Sequence, residues 1–234
     1  MPNSHNKAQL PSNPTLKEIN WFKKQINWGE LPHFYHLVAS SVSECESILD
    51  HGFDNAHWQV VRRMIHTSAD FEYIKSVRFY KNALLAGIQA IQKGCSIFTD
   101  TNMARVGIRK GELSSFGGEV RCMIADKDVA ETAKSTGVTR ALAAVDKASS
   151  EMDGAIYVVG NAPTALLRLI ELIREDKIKP ALIVGLPVGF VNAAESKDEL
   201  MTLEFPYISN KGRKGGSNVA ASIINAMAIM AVKE

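Results

Sequence analysis

AIYVVGNAPTALLRLIELIREDKIKPALIVG, residues 155–185, decides the fold. Its opening run, Ala155–Val159, is apolar on both faces, as a strand covered on two sides must be. Gly160, Asn161, Ala162 and Pro163 break that run, and Pro163 suits the first turn of a helix, where its missing N–H costs nothing. TALLRLIELIRE then places apolar residues at helical spacing. Pro180 punctuates the chain, and ALIV follows as a second two-sided apolar strand closed by Gly185. The whole stretch reads as a right-handed crossover between parallel strands.

The same alternation extends outward. Strands are predicted over Ser96–Thr99, Val120–Ile124, Ala155–Val159 and Ala181–Val184. Helices are predicted over Asn55–Ile65, Lys81–Gln92, Lys127–Thr136, Thr139–Ser149, Pro163–Arg174 and Asn218–Val232. The expectation is a single α/β domain, a three-layer α/β/α arrangement around a mainly parallel central sheet. It spans residues 33–234. Residues 1–32 read as an N-terminal extension. Pro2, Pro11 and Pro14 among Ser and Asn predict a partly disordered tail. Trp21, Phe22, Ile26 and Trp28, ended by Gly29 and Pro32, predict a short accessory helix.

Composition narrows the function classes. A chain of 234 residues with 46% hydrophobic and 22% charged residues is an ordinary globular protein. A net charge of +2 points to neither nucleic acid nor a membrane surface, so any basic patch is local. Cys45, Cys95 and Cys122 form no CxxC pair and no zinc spacing, which fits a reducing compartment. The polar N-terminus carries no secretory signal, and the apolar run Val219–Val232 is short for a bilayer span. A cytoplasmic location follows, with no membrane or nucleic-acid partner.

In open parallel sheets ligands bind beyond the carboxyl ends of the strands. That rule selects the loops Thr99–Gly107, Gly160–Pro163 and Gly185–Phe190. No histidine occurs after His66. His33 and His36 share a helical spacing without a third metal ligand nearby, and no metal site is expected. His66 ends the run WQVVRRMI beside Thr67, Ser68 and Asp70, where an imidazole is poised to titrate near neutrality. The segment Lys211-Gly-Arg-Lys-Gly-Gly-Ser-Asn218 sets cations and glycines before an apolar helix. Glycines admit close backbone approach, and the helix start offers N–H groups and a positive dipole end. This is a candidate anion site, though not a Walker A loop. A Rossmann GxGxxG is absent, so no dinucleotide cofactor is expected. The residues alone leave the substrate unnamed.

Six segments together resemble the precorrin-8X methylmutase family: VRRMIHTSADFEY (61–73), TDTNMARVGI (99–108), VRCMIAD (120–126), GAIYVVGNAPTAL (154–166), ALIVGLPVGFVNAAESK (181–197) and GRKGGSNVAASIINA (212–226). They fall in the family's order over about residues 55–232; residues 1–54 match poorly. The resemblance implies a cofactor-free isomerase that moves a methyl group from C-11 to C-12 of a corrinoid tetrapyrrole in cobalamin synthesis, working as a homodimer. It implies His66 as the catalytic acid toward a ring nitrogen. It further implies a substrate-binding set for the ring's carboxylates. Arg213 and Lys214 act with the N–H groups of Gly215, Gly216 and Ser217. Thr101, Asn102 and Arg109 come from the second loop, and Asn161 from the third. Met103, Leu186, Val188 and Phe190 are expected over the ring faces, Asp70 beside His66 or capping a helix, and Glu195 paired with Lys197. The last helix is expected to serve core and interface together. Two other readings stay open: a non-catalytic tetrapyrrole carrier, and an enzyme using Gly212–Asn218 to bind phosphorylated metabolites.

Overall fold

The structure is a computed structural model that describes residues 52–233. The tail and accessory helix expected before residue 33, with His5, His33, His36, Cys45 and His51, lie outside the described residues.

The described chain runs α1 (Asn55–Ser68), α2 (Tyr73–Ser76), β1 (Val77–Phe79), α3 (Ala83–Gln92), β2 (Ile97–Thr99), α4 (Asn102–Gly107), α5 (Lys110–Ser114), β3 (Val120–Arg121), α6 (Lys127–Thr136), α7 (Arg140–Ala148), β4 (Ile156–Val159), α8 (Pro163–Arg174), β5 (Leu182–Gly185), α9 (Ala193–Leu200), β6 (Tyr207–Asn210) and α10 (Ser217–Lys233). One six-stranded sheet has the order β1-β6-β5-β4-β2-β3. All its pairings are parallel except β1 with β6. The quoted stretch supplies β4, α8 and β5, with Ile156 opposite Leu182 and Val159 opposite Gly185.

Helices cover both faces. On one face α6, α7, α8 and α9 pack a core containing Phe98, Tyr157, Leu166, Leu169, Ile183 and Leu200. The Phe98 and Tyr157 rings stack there with centroids 6.2 Å apart. On the other face α10 lies among α1, α3 and α4 and against β4 and β5. A Cβ at Gly87 of α3 would sit 2.6 Å from Met227 of α10 and 2.8 Å from Leu182. Surrounded this way, α10 is apolar on nearly every side, as a helix buried all round must be. Val219, Ile223, Ile224, Met227 and Ala228 are all fully buried within this one chain.

Differences from the expected elements have local causes. α1 continues past Ile65 to Ser68, whose Oγ donates to the Met64 carbonyl at 2.8 Å. β3 stops at Arg121 because it pairs only with β2, at the edge of the sheet. β1 and β6 are additional strands. β6 reads as polar at Ser209 and Asn210, yet both are buried, and Ser209 Oγ donates to the Gly185 carbonyl at 2.6 Å.

After β2 the chain moves outward to β3, then returns to β4 on the other side of β2. The β2/β4 boundary is therefore the switch point, where ligands of open parallel sheets gather. Antiparallel pairing also brings the start of β1, Val77, opposite the end of β6, Asn210. The turn after α1 thus reaches the same edge as the strand carboxyl ends. Among the described residues, no helix is long and apolar enough to cross a membrane.

Candidate active site

Asp100 closes the switch point from within. It follows β2 and is 1% exposed. Its carboxylate accepts N–H bonds from Gly160 at 2.9 Å, Asn161 at 2.8 Å and Ala162 at 2.7 Å. Burial pushes its carboxyl up from the usual range, and the three donors pull it back down. Thr101 caps α4, accepting from Ala104 N at 3.1 Å, and its Oγ1 lies 2.8 Å from Ser217 Oγ. Gly160 makes that approach possible, since a Cβ there would fall 2.5 Å from Ser217 Cα. The ends of β2 and β4 and the start of α10 are thereby locked together.

The cationic loop enters from β6. Gly215 slides under the Leu186 carbonyl, which a Cβ would meet at 2.3 Å, and Gly216 N donates to that same oxygen at 3.0 Å. Arg213 and Lys214 project outward and are exposed. The Arg213 guanidinium lies 6.0 Å from the centroid of the exposed Phe190 ring. Lys214 pairs with Asp70 at 2.6 Å and with Glu72. Those two carboxylates, Asp70 foremost, hold its ammonium well above its ordinary value. Asp70 also accepts the Glu72 N–H at 3.0 Å.

His66 stands half-buried in the last turn of α1. Arg63 and Arg62 precede it by three and four residues, on the same helical face. Burial first, then Arg63 and Arg62, lower its imidazole below the ordinary value. Arg63 is itself lowered by burial, by Arg109 and by Arg62, with Glu112 opposing. Arg109 forms an ion pair with Glu112 at 2.5 Å, and its backbone N–H donates to Asn225 of α10 at 2.8 Å. Arg62, Arg63, Arg109 and His66 thus share one region, with Glu112 opposing Arg63 and paired to Arg109. Guanidinium groups gathered in this way can bind the carboxylates of a polyanion.

The precorrin-8X methylmutase profile matches residues 37–230. The chain belongs to the precorrin-8X methylmutase family. It is 48% identical over 186 residues to the cobalt-precorrin-8 methylmutase of Priestia megaterium, covering 80% of this chain and 83% of that one. Identity to the cobalt-precorrin-8 methylmutase of Leptospira interrogans is 45% over 191 residues, covering 78% and 87% of the two chains. Superposition on the precorrin-8X methyl mutase of Thermus thermophilus gives a TM-score of 0.80 at 43% identity, covering 86% of this chain and 97% of that one.

Against the methylmutase residues predicted from sequence, the structure brings Thr101 and Ser217 into contact and places Arg109 within electrostatic reach of Arg63. Asn102 is exposed, and its Oδ1 accepts from Arg105 at 3.0 Å. Several expectations are corrected. The N–H groups of the Asn161 turn close on Asp100 instead of facing a ligand, leaving only the exposed Asn161 side chain to do so. Lys214 stays a substrate-binding candidate, exposed and paired with two surface carboxylates. Leu186 is fully buried and belongs to the core, whereas Met103, Val188 and Phe190 are exposed. Lys197 bonds to Asn210 and to the Lys214 carbonyl, not to Glu195. Asp70 turns toward Lys214 and the Glu72 N–H. Sequence reasoning missed Arg62 and Arg63, although their spacing from His66 was a usable signal. It also missed Asp100, which only the tertiary pairing reveals.

Proposed function

We propose that this chain is the isomerase of cobalamin synthesis that moves the C-11 methyl group of precorrin-8X, or of its cobalt form, to C-12. The observation that carries this reading is the convergence of the family's segments on one sheet edge. There a half-buried imidazole stands among arginines, four residues before the Asp70 that bonds Lys214 of the glycine-flanked loop. The substrate is a large conjugated ring with many acetate and propionate carboxylates. Arg63 and Arg213 grip carboxylates, and Arg109 does so on exchanging Glu112 for substrate; a guanidinium can hold a carboxylate by two parallel bonds. Exposed Met103, Val106, Val188 and Phe190 offer apolar cover for ring faces.

His66 protonates, or hydrogen-bonds, a ring nitrogen. Positive charge in the ring then promotes migration of the methyl with its bonding electrons, and the proton is returned afterwards. Such acid assistance is worth roughly 10²–10⁴-fold. Holding one ring conformation supplies much of the remainder. No redox change occurs, and atoms balance because substrate and product are isomers. A cytoplasmic homodimer built from the 33–234 domain completes the proposal. The exposed Phe190 and Val191 support an apolar interface.

The test is direct. Purified protein is mixed with precorrin-8X and the absorption spectrum followed. Conversion to the product spectrum, absent without protein, supports the assignment. Tight binding with an unchanged spectrum would favour the carrier instead.

A further inference from the structure

Lys197 is the only fully buried cation among the described residues, at 0% exposed. It sits in the last turn of α9. Its ammonium donates to the Lys214 carbonyl at 2.6 Å and to Asn210 Oδ1 at 3.3 Å. Asn210 Nδ2 donates to the same Lys214 carbonyl at 2.9 Å and to the Lys211 carbonyl at 3.1 Å. Two buried side chains therefore hold the backbone of the cationic loop from beneath, while Gly215 and Gly216 press it against Leu186.

Nothing about packing calls for an ammonium here. A buried charge without a carboxylate partner is costly, and an apolar side chain of similar length would fill the space without that cost. Burial lowers the ammonium to about 8, which still leaves it mostly protonated at neutral pH. What the charge does uniquely is bind carbonyl oxygens strongly.

We infer that Lys197 is a positioning residue: by fixing the Lys214 carbonyl it sets where Arg213 stands to receive a substrate carboxylate. The part about substrate rests on the methylmutase reading, whereas the clamp itself does not. The two are tested separately with Lys197→Met. Limited trypsin digestion reads the clamp. Cleavage after Lys211, Arg213 or Lys214 is expected to accelerate about tenfold or more, with cleavage after the exposed Lys93, in the turn between α3 and β2, unchanged. Steady-state kinetics reads the positioning, with KM expected to rise about tenfold and kcat to change less than about threefold. Unchanged cleavage, or acceleration at all sites alike, overturns the clamp. Faster local cleavage with an unaltered KM overturns the loop's part in holding substrate. A fall in kcat at constant KM overturns positioning in favour of direct chemistry. If Lys197→Met does not fold, Asn210→Ser removes the second donor and is read by the same two measurements.

Discussion

Arg63 and Arg62 add to burial in disfavouring a proton on His66. Burial and the two guanidinium groups oppose the imidazolium, so in the free protein the acid form dominates only at pH values below 6.5. A bound polycarboxylate among those arginines would reverse part of that opposition and raise the imidazole's affinity for its proton. Two outcomes follow for kcat/KM. It should fall as pH rises through the lowered free-protein value. In Arg63→Gln, where one opposing charge is gone, that limb should move to higher pH, toward 6.5. A limb that moves downward would refute the electrostatic account. His66→Ala should lose roughly 10²–10⁴-fold in kcat while dissociation of the ring changes only severalfold. Turnover equal to that of the unaltered protein would remove the imidazole from the chemistry. Lys214→Ala, by contrast, should leave the urea unfolding midpoint almost unchanged, because its two ion pairs are solvent-screened.

At the level of elements, the junction of β2, β4 and α10 concentrates the local demands. Asp100→Asn preserves shape but turns an NH₂ toward backbone donors, leaving buried N–H groups unsatisfied. It should cost about 1–3 kcal/mol. Gly160→Ala forces a methyl into the backbone of Ser217, which has no flexible end to yield. It should destabilise by about 1–3 kcal/mol and also loosen substrate binding, since α10 must shift. Gly111→Ala serves as the control. Its Cβ would meet nothing within 4 Å. There, in the interior of short α5, alanine should be neutral or stabilising by up to about 1 kcal/mol. Equal effects at the two glycines would contradict the close-approach argument. The longer elements were readable because their apolar periods are strong: α6 and α8 begin and end where the pattern places them. β1 and the short helices α2, α4, α5 and α9 offer too few residues for a period to emerge. β6 was hidden because its buried polar groups are satisfied by Gly185, Lys211 and Lys214, partners that only the fold supplies.

For the molecule as a whole, both faces of the sheet are packed, and they approach the site differently. The α10 face supports the loops around His66 and Ser217, whereas the α6–α9 face reaches the cationic loop through Lys197 of α9. Leu169→Ala, fully buried in α8, should cost about 2–5 kcal/mol with KM unchanged in the protein that remains folded. A large KM change would show that the two faces are coupled. The layered architecture was legible from the alternating apolar strands and helices, and the strand ends and glycine-flanked cations pointed to the edge of the candidate site. Which charges meet was not: Asp70 and Lys214 are 144 residues apart in the chain, and no local spacing encodes their bond. The antiparallel register of Val77 with Asn210 has a last consequence, for synthesis of the chain. β1 is translated well over a hundred residues before β6, its partner in the sheet. Pairing across so long an interval is slow and leaves an unfinished edge exposed meanwhile. A nascent chain arrested before residue 207 would carry β1, and α1 just before it, with no partner strand alongside.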